Sequence, residues 1–135
     1  MRHVFKSLAL ILLAVTLSCE ESVFLKLCEE CLEEEPTNAT LEFKVSKELL
    51  PLTIEIFVYA GNIEDGILIG YFDYAREYFT VAVNRQYTVV AKYGVRDQYY
   101  CVNSTTPRVK YYPNYCEEPC YYVTGRVVDL RLKYQ

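Results

Sequence analysis

Apolar residues are distributed along this chain in two different ways. Near the start they form a continuous run, Leu8 to Leu17, behind Arg2, His3 and Lys6 and ahead of Ser18-Cys19. From Ala39 onward they alternate with polar residues. Between Ala39 and Ser46, Leu41, Phe43 and Val45 fall on one side and Glu42 and Lys44 on the other, and between Leu52 and Tyr59 the residues Ile54, Ile56 and Val58 share a side. A period of two is that of a strand with one buried face. Asn62 to Gly66 ends in Asp65-Gly66, a pair suited to tight turns. Further strands are expected at Ile67 to Tyr74, Tyr78 to Val83 and Tyr87 to Tyr93, with Asn84-Arg85-Gln86 turning between the last two. Tyr99 to Asn103 and Arg108 to Tyr112 follow. Tyr121 to Tyr134 reads as one closing strand, with Val128, Leu130 and Leu132 alternating with Asp129, Arg131 and Lys133.

Short strands at regular spacing, rich in Tyr, Val, Ile and Thr and without a long helical period, predict an all-β fold. The expected architecture is a single antiparallel β-sandwich of about seven strands over residues 38–135. A domain of this size can bury a core unaided.

The Leu8 to Leu17 run is too short to cross a bilayer, which takes about 20 apolar residues. Its basic start and its place at the N-terminus make residues 1–18 a signal peptide. Its removal takes away Arg2 and Lys6, leaving 12 basic against 18 acidic residues, a net charge of −6. The excess is local. Cys19 to Glu35 holds seven glutamates and one lysine, whereas the chain from Pro36 on holds 11 acidic and 11 basic residues. Residues 19–37 therefore read as an acidic tether, in which repulsion among Glu29, Glu30, Glu33, Glu34 and Glu35 opposes a stable helix. No basic stripe is available to neutralise phosphates, so nucleic acid is not an expected partner.

Two resemblances sharpen this picture. Val15-Thr16-Leu17-Ser18-Cys19 resembles the lipobox of bacterial lipoproteins, with small Ser18 before the cysteine, although Thr16 stands where leucine is usual and Leu17 is bulkier than usual. That resemblance implies acylation of Cys19 and a lipid anchor in a bacterial membrane, expected to be the outer one. Several acyl chains hold where one would be marginal. The alternative is ordinary cleavage nearby, which leaves Cys19 a thiol and the protein secreted. The segment Thr40 to Lys133 resembles the Ig-like, transthyretin-like or carboxypeptidase-regulatory-like sandwiches found in many bacterial lipoproteins. A fold so widely reused brings no function with it.

The chemistry is defined largely by what is missing. His3 is the single histidine and lies in the signal peptide, so the mature chain has no imidazole for Ser-His or Cys-His catalysis or for a histidine metal site. The five glycines are scattered and make no phosphate loop. Glu64-Asp65, Asp73 with Glu77, and Glu117-Glu118 are the available carboxylate pairs, and neighbours on a strand point to opposite faces. No enzyme activity and no cofactor are expected.

The six cysteines fit an oxidising compartment. Cys28 and Cys31 form a CxxC, Cys116 and Cys120 a CxxxC, and Cys101 stands alone. Three arrangements are open: two disulfides running between the pairs, local pairing within each, or a zinc site of four thiolates. Export and the lack of glycine between the cysteines favour disulfides and no metal. With Cys19 acylated, Cys101 is the one left over, a small apolar residue within a strand. Running between the pairs, each disulfide would close a loop worth about 4–5 kcal/mol in the chain-entropy model and would hold the tether beside the final strand.

Seven tyrosines of the C-terminal third, Tyr99, Tyr100, Tyr111, Tyr112, Tyr115, Tyr121 and Tyr122, are candidates for a binding surface toward a protein or glycan. One member of each doublet is expected to face the core. The competing account is that tyrosine simply suits strands and cross-strand pairs. The sequons at Asn38 and Asn103 matter only in a eukaryotic secreted protein, and Asn62 to Asp65 lacks the ligand count of a calcium loop. The expectation is a membrane-anchored exported lipoprotein, a non-catalytic binding or structural accessory module.

Overall fold

The computed structural model describes residues 28–46, 53–74, 78–114, 116 and 118–133. The Leu8 to Leu17 run, Cys19 and Tyr115 lie outside the described residues.

Nine strands follow one another along the described residues. They are β1 (Asn38–Lys44), β2 (Ile54–Ala60), β3 (Ile67–Asp73), β4 (Tyr78–Ala82), β5 (Tyr87–Tyr93), β6 (Tyr99–Thr105), β7 (Arg108–Tyr112), β8 (Cys120–Thr124) and β9 (Val127–Asp129). The period-two reading holds residue by residue in β1, where Ala39, Leu41 and Phe43 are buried and their neighbours exposed. The chain divides into two compact units, Glu35–Lys110 with Val123–Gln135, and Met1–Glu34 with Tyr111–Tyr122.

The larger unit is the sandwich. One sheet has the order β4-β1-β9 and the other the order β3-β2-β5-β6. Their inner faces supply the core: Leu41, Phe43 and Val45 with Val81, Val128 and Leu130 from the first, and Ile54, Ile56, Val58, Tyr87, Val89, Ala91 and Tyr93 from the second. Both open sides are closed by side chains. At one side the Phe72 and Phe79 rings stack at 5.7 Å, and a Cβ on Gly70 would stand 2.7 Å from the Phe79 ring. At the other, β6 side chains satisfy the free edge of the β9 segment. Asn103 Nδ2 donates to the Asp129 carbonyl at 3.0 Å and Thr105 Oγ1 to the Gly125 carbonyl at 2.6 Å.

A polar link runs through the middle of this core. Tyr93 is fully buried; its hydroxyl donates to the Leu130 carbonyl at 2.6 Å and accepts from the Ser46 amide at 3.2 Å. Buried Ser46 in turn accepts from the Leu132 amide at 2.9 Å. One strand of the second sheet is thus bonded to two chain segments of the first, and no buried side-chain polar atom among the described residues is left unpartnered.

Two features depart from the sequence reading. Tyr121 to Tyr134 is not one strand: it breaks at Gly125-Arg126 into β8, which pairs with β7, and β9, which pairs with β1. Gly125 has φ of 72° and a Cβ there would meet the Thr106 carbonyl oxygen at 2.6 Å, so the break uses a conformation and a clearance that only glycine supplies without strain. The β1–β9 pair is parallel, in register from Glu42 opposite Val127 to Lys44 opposite Asp129, whereas β1–β4, β2–β3, β2–β5 and β5–β6 are antiparallel.

The smaller unit is built around Cys28 to Leu32 and residues 111–122. Leu32 makes an antiparallel bridge with Tyr121 through two amide–carbonyl bonds of 3.0 and 2.8 Å. Disulfides join Cys28 to Cys116 and Cys31 to Cys120, across separations of 88 and 89 residues.

Candidate functional site

The ladder registers show what the four-stranded sheet turns outward. Phe57 stands opposite Tyr71 on one side and Val90 on the other, and Val90 stands opposite Val102. The result is a row of Tyr71, Phe57, Val90 and Val102 across all four strands. Tyr71 and Val102 at its ends are 56% and 52% exposed, while Val90 in the middle is 6% exposed. Phe57 and Tyr71 rings lie 4.9 Å apart. One rung away run Leu68, Tyr59, Thr88 and Ser104; on the other side run Asp73, Glu55, Lys92 and Tyr100. An antiparallel sheet usually packs one face and hydrates the other. Here the second face carries an aromatic and aliphatic band of its own, the kind of patch that marks a contact surface.

A charged cluster borders the band. Lys92 Nζ donates to Glu55 Oε2 at 2.7 Å, and the Tyr71 hydroxyl donates to Glu55 Oε1 at 2.5 Å. The Lys92 bond, with the Tyr71 bond second, holds the Glu55 carboxyl below its ordinary range. The same bonds to Glu55 push the Tyr71 phenol and the Lys92 ammonium upward. At neutral pH Glu55 is therefore a carboxylate, Lys92 an ammonium and Tyr71 a neutral donor. The cluster presents fixed hydrogen-bonding groups beside an apolar surface.

The candidate tyrosines are distributed over two places. Tyr99 and Tyr100 on β6 are both more than half exposed, at 56% and 57%. Tyr99 is the member on the core side of the sheet, opposite Tyr93, but it stands at the end of the outermost strand and stays exposed. Tyr100 lies on the outer face, opposite Lys92. Tyr111, Tyr112, Tyr121 and Tyr122 belong to the β7–β8 ribbon and pair across it, Tyr111 with Tyr121 at 5.1 Å and Tyr112 with Tyr122 at 6.5 Å. Tyr111 is exposed and the other three are half-buried. Of the six described candidates, two therefore lie on β6 and four on the β7–β8 ribbon. Tyr100 shares its face instead with Tyr59, Tyr71 and Phe57, which the sequence reading did not single out. The available signal was the outward phase of β2, Phe57 and Tyr59, together with the Val89-Val90 doublet in β5.

The cysteines resolve differently. The two disulfides run between the CxxC and the CxxxC, so the pairing is long-range and not local. They join the residues before Leu32 to β8 and the turn before it, not to the last strand, because the closing segment is two strands. Cys101 is the free thiol among the described residues, half-buried at the core margin with its Sγ 3.8 Å from the Arg131 carbonyl. Burial, and then the Asp129 carboxylate, push that thiol upward and favour its protonated form. Asp129 itself receives both the Nε and Nη2 of Arg131, at 2.8 and 2.7 Å, and its carboxyl is held well below the usual range. Comparison of the chain with protein-family models, with curated proteins and with solved structures finds no match in any of the three.

Proposed function

We propose that this chain is an exported lipoprotein, anchored through acylated Cys19 to a bacterial outer membrane, whose sandwich is a non-catalytic binding module. It meets a protein or glycan partner through the outer face of the four-stranded sheet. The observation that carries the reading is the apolar row Tyr71, Phe57, Val90 and Val102 with the fixed Glu55–Lys92 pair beside it. A sheet face of this kind suits a partner that stacks on rings and takes hydrogen bonds at their rim. The two disulfides agree with an oxidising compartment outside the cytoplasm.

The anchor is tested by detergent-phase partitioning and intact mass of wild type and Cys19→Ala expressed with the full leader. Wild type is expected in the detergent phase at a mass that includes the acyl groups, and the variant in the aqueous phase. Equal partitioning would leave the secreted, unlipidated sandwich as the reading. The face is tested by retention on immobilised glycans and on envelope extract, wild type against the double variant Tyr71→Ser, Val102→Ser. Equal retention by a folded double variant would remove this face from the binding role.

A further inference from the structure

The smaller unit holds its four cysteines as a single sulfur cluster. Cys31 Sγ and Cys116 Sγ belong to different disulfides, yet stand 3.3 Å apart. The Sγ atoms of Cys31, Cys116 and Cys120 all lie within 4.8 Å of one another. Cys28, bonded to Cys116, is the fourth member. In a tetrahedral thiolate site with metal–sulfur bonds of about 2.3 Å, neighbouring sulfurs sit about 3.8 Å apart. The spacing imposed on these sulfurs brackets that edge.

The backbone that brings them together does not depend on the disulfides alone. Leu32 directly follows Cys31 and Tyr121 directly follows Cys120, and these two residues exchange both amide–carbonyl bonds, at 3.0 and 2.8 Å. The Tyr111 and Tyr121 rings pack at 5.1 Å beside that bridge. This bridge ties the residue after Cys31 to the residue after Cys120 by bonds that reduction of the disulfides does not cut. Four free thiols so close cannot ionise together without repulsion, and a thiophilic divalent cation removes that repulsion by ligating each sulfur.

We propose that the cluster is a redox-gated metal site: oxidised, it is two disulfides; reduced, it binds one Zn²⁺ through Cys28, Cys31, Cys116 and Cys120. The reductant is a dithiol. Each disulfide takes two electrons and two protons from one dithiol, which closes to its own disulfide, and gives two thiols. Zinc binding then displaces the thiol protons to solvent. Reoxidation by two equivalents of a small-molecule disulfide expels the metal: each oxidant takes two electrons from one pair of sulfurs and two protons from solvent and leaves as two thiols. The inference is independent of acylation at Cys19 and of the outer sheet face.

The test uses the full mature chain, half kept oxidised and half reduced without oxygen by a dithiol that is then removed. Each half is equilibrated with Zn²⁺, freed of excess metal by gel filtration, and analysed for zinc and far-ultraviolet circular dichroism. The oxidised protein is expected to retain no zinc and the reduced protein one per chain. In the reduced form zinc should protect Cys28, Cys31, Cys116 and Cys120 from alkylation. Cys31→Ser and Cys120→Ser should each lower zinc affinity at least about tenfold, and Cys101→Ser should leave it unchanged. A reduced chain that keeps its strand signal but retains no zinc overturns the proposal. So does zinc retained equally by Cys31→Ser, or a reduced chain that loses its strand signal and does not recover it with zinc.

Discussion

Replacing Tyr93 by phenylalanine removes one oxygen and keeps the ring that fills the core. That oxygen serves two buried backbone groups, donating to the Leu130 carbonyl at 2.6 Å and accepting from the Ser46 amide at 3.2 Å. Ser46 is fully buried, so its amide loses its acceptor with no access to water, at about 1–3 kcal/mol. Loss of the bond to Leu130 adds about 0.5–1.5 kcal/mol. The expected total is about 2–4 kcal/mol, read as a lower urea midpoint at unchanged slope. For a domain of this size that is a fall in Tm of roughly 10–25 °C. Tyr87→Phe is the control. Its hydroxyl donates once, to the Ala82 carbonyl at 2.9 Å, and should cost about 1 kcal/mol. Because Ser46 touches both Tyr93 and Leu132, Ser46→Ala and Tyr93→Phe should be non-additive in a double-mutant cycle. A Tyr93→Phe protein within about 0.5 kcal/mol of wild type would refute the claim that this hydroxyl joins the sheets.

Gly125→Ala should destabilise the sandwich by about 1–3 kcal/mol in thermal unfolding, since it adds a Cβ against the Thr106 carbonyl at positive φ; an unchanged Tm would mean that the β8–β9 break is not strained. Leu130→Asp should cost about 4 kcal/mol or more by burying an unpaired carboxylate, whereas Lys133→Asp on the exposed neighbouring phase should leave the fold intact. Glu55 and Asp129 have lowered pKa values, so their stabilisation is complete above the unfolded carboxylate range near pH 4 and is lost as pH falls through the folded values. Glu55→Gln with Asp129→Asn should therefore flatten the acid limb of stability against pH, measured by urea unfolding from pH 2 to 7. Lys92 is raised, so its share is present below about pH 10.5 and lost above; Lys92→Met should remove that alkaline loss.

The strand pattern was legible because burial on one face writes directly into sequence with a period of two. Leu41, Phe43, Ile54, Ile56, Val58, Val128 and Leu130 all read inward from alternation and all line the core. The break at Gly125 was less legible, since alternation continues on both sides of it and cannot report a change of partner strand. The glycine was the available sign. Alternation likewise says nothing about whether a strand pairs parallel or antiparallel, which is why the β1–β9 pair was not foreseen.

Cysteine spacing could state that two close pairs exist, but long-range, local and metal-bound arrangements are equally compatible with CxxC and CxxxC. The choice between them depends on which backbone segments meet, and the Leu32–Tyr121 bridge, which joins residues 89 positions apart, sets that. The outer face has the same origin. Tyr71, Phe57, Val90 and Val102 come from four strands, and only the registers place them in one row. The Tyr93 hydroxyl is the plainest case: in sequence it is one tyrosine among 14, and its role exists only where Ser46 and Leu130 approach it from the opposite sheet. The sequence by itself determined which residues leave water, because hydrophobic periodicity is local. The tertiary structure decided which residues meet, because strand partnership, register and sulfur pairing depend on contacts between distant segments.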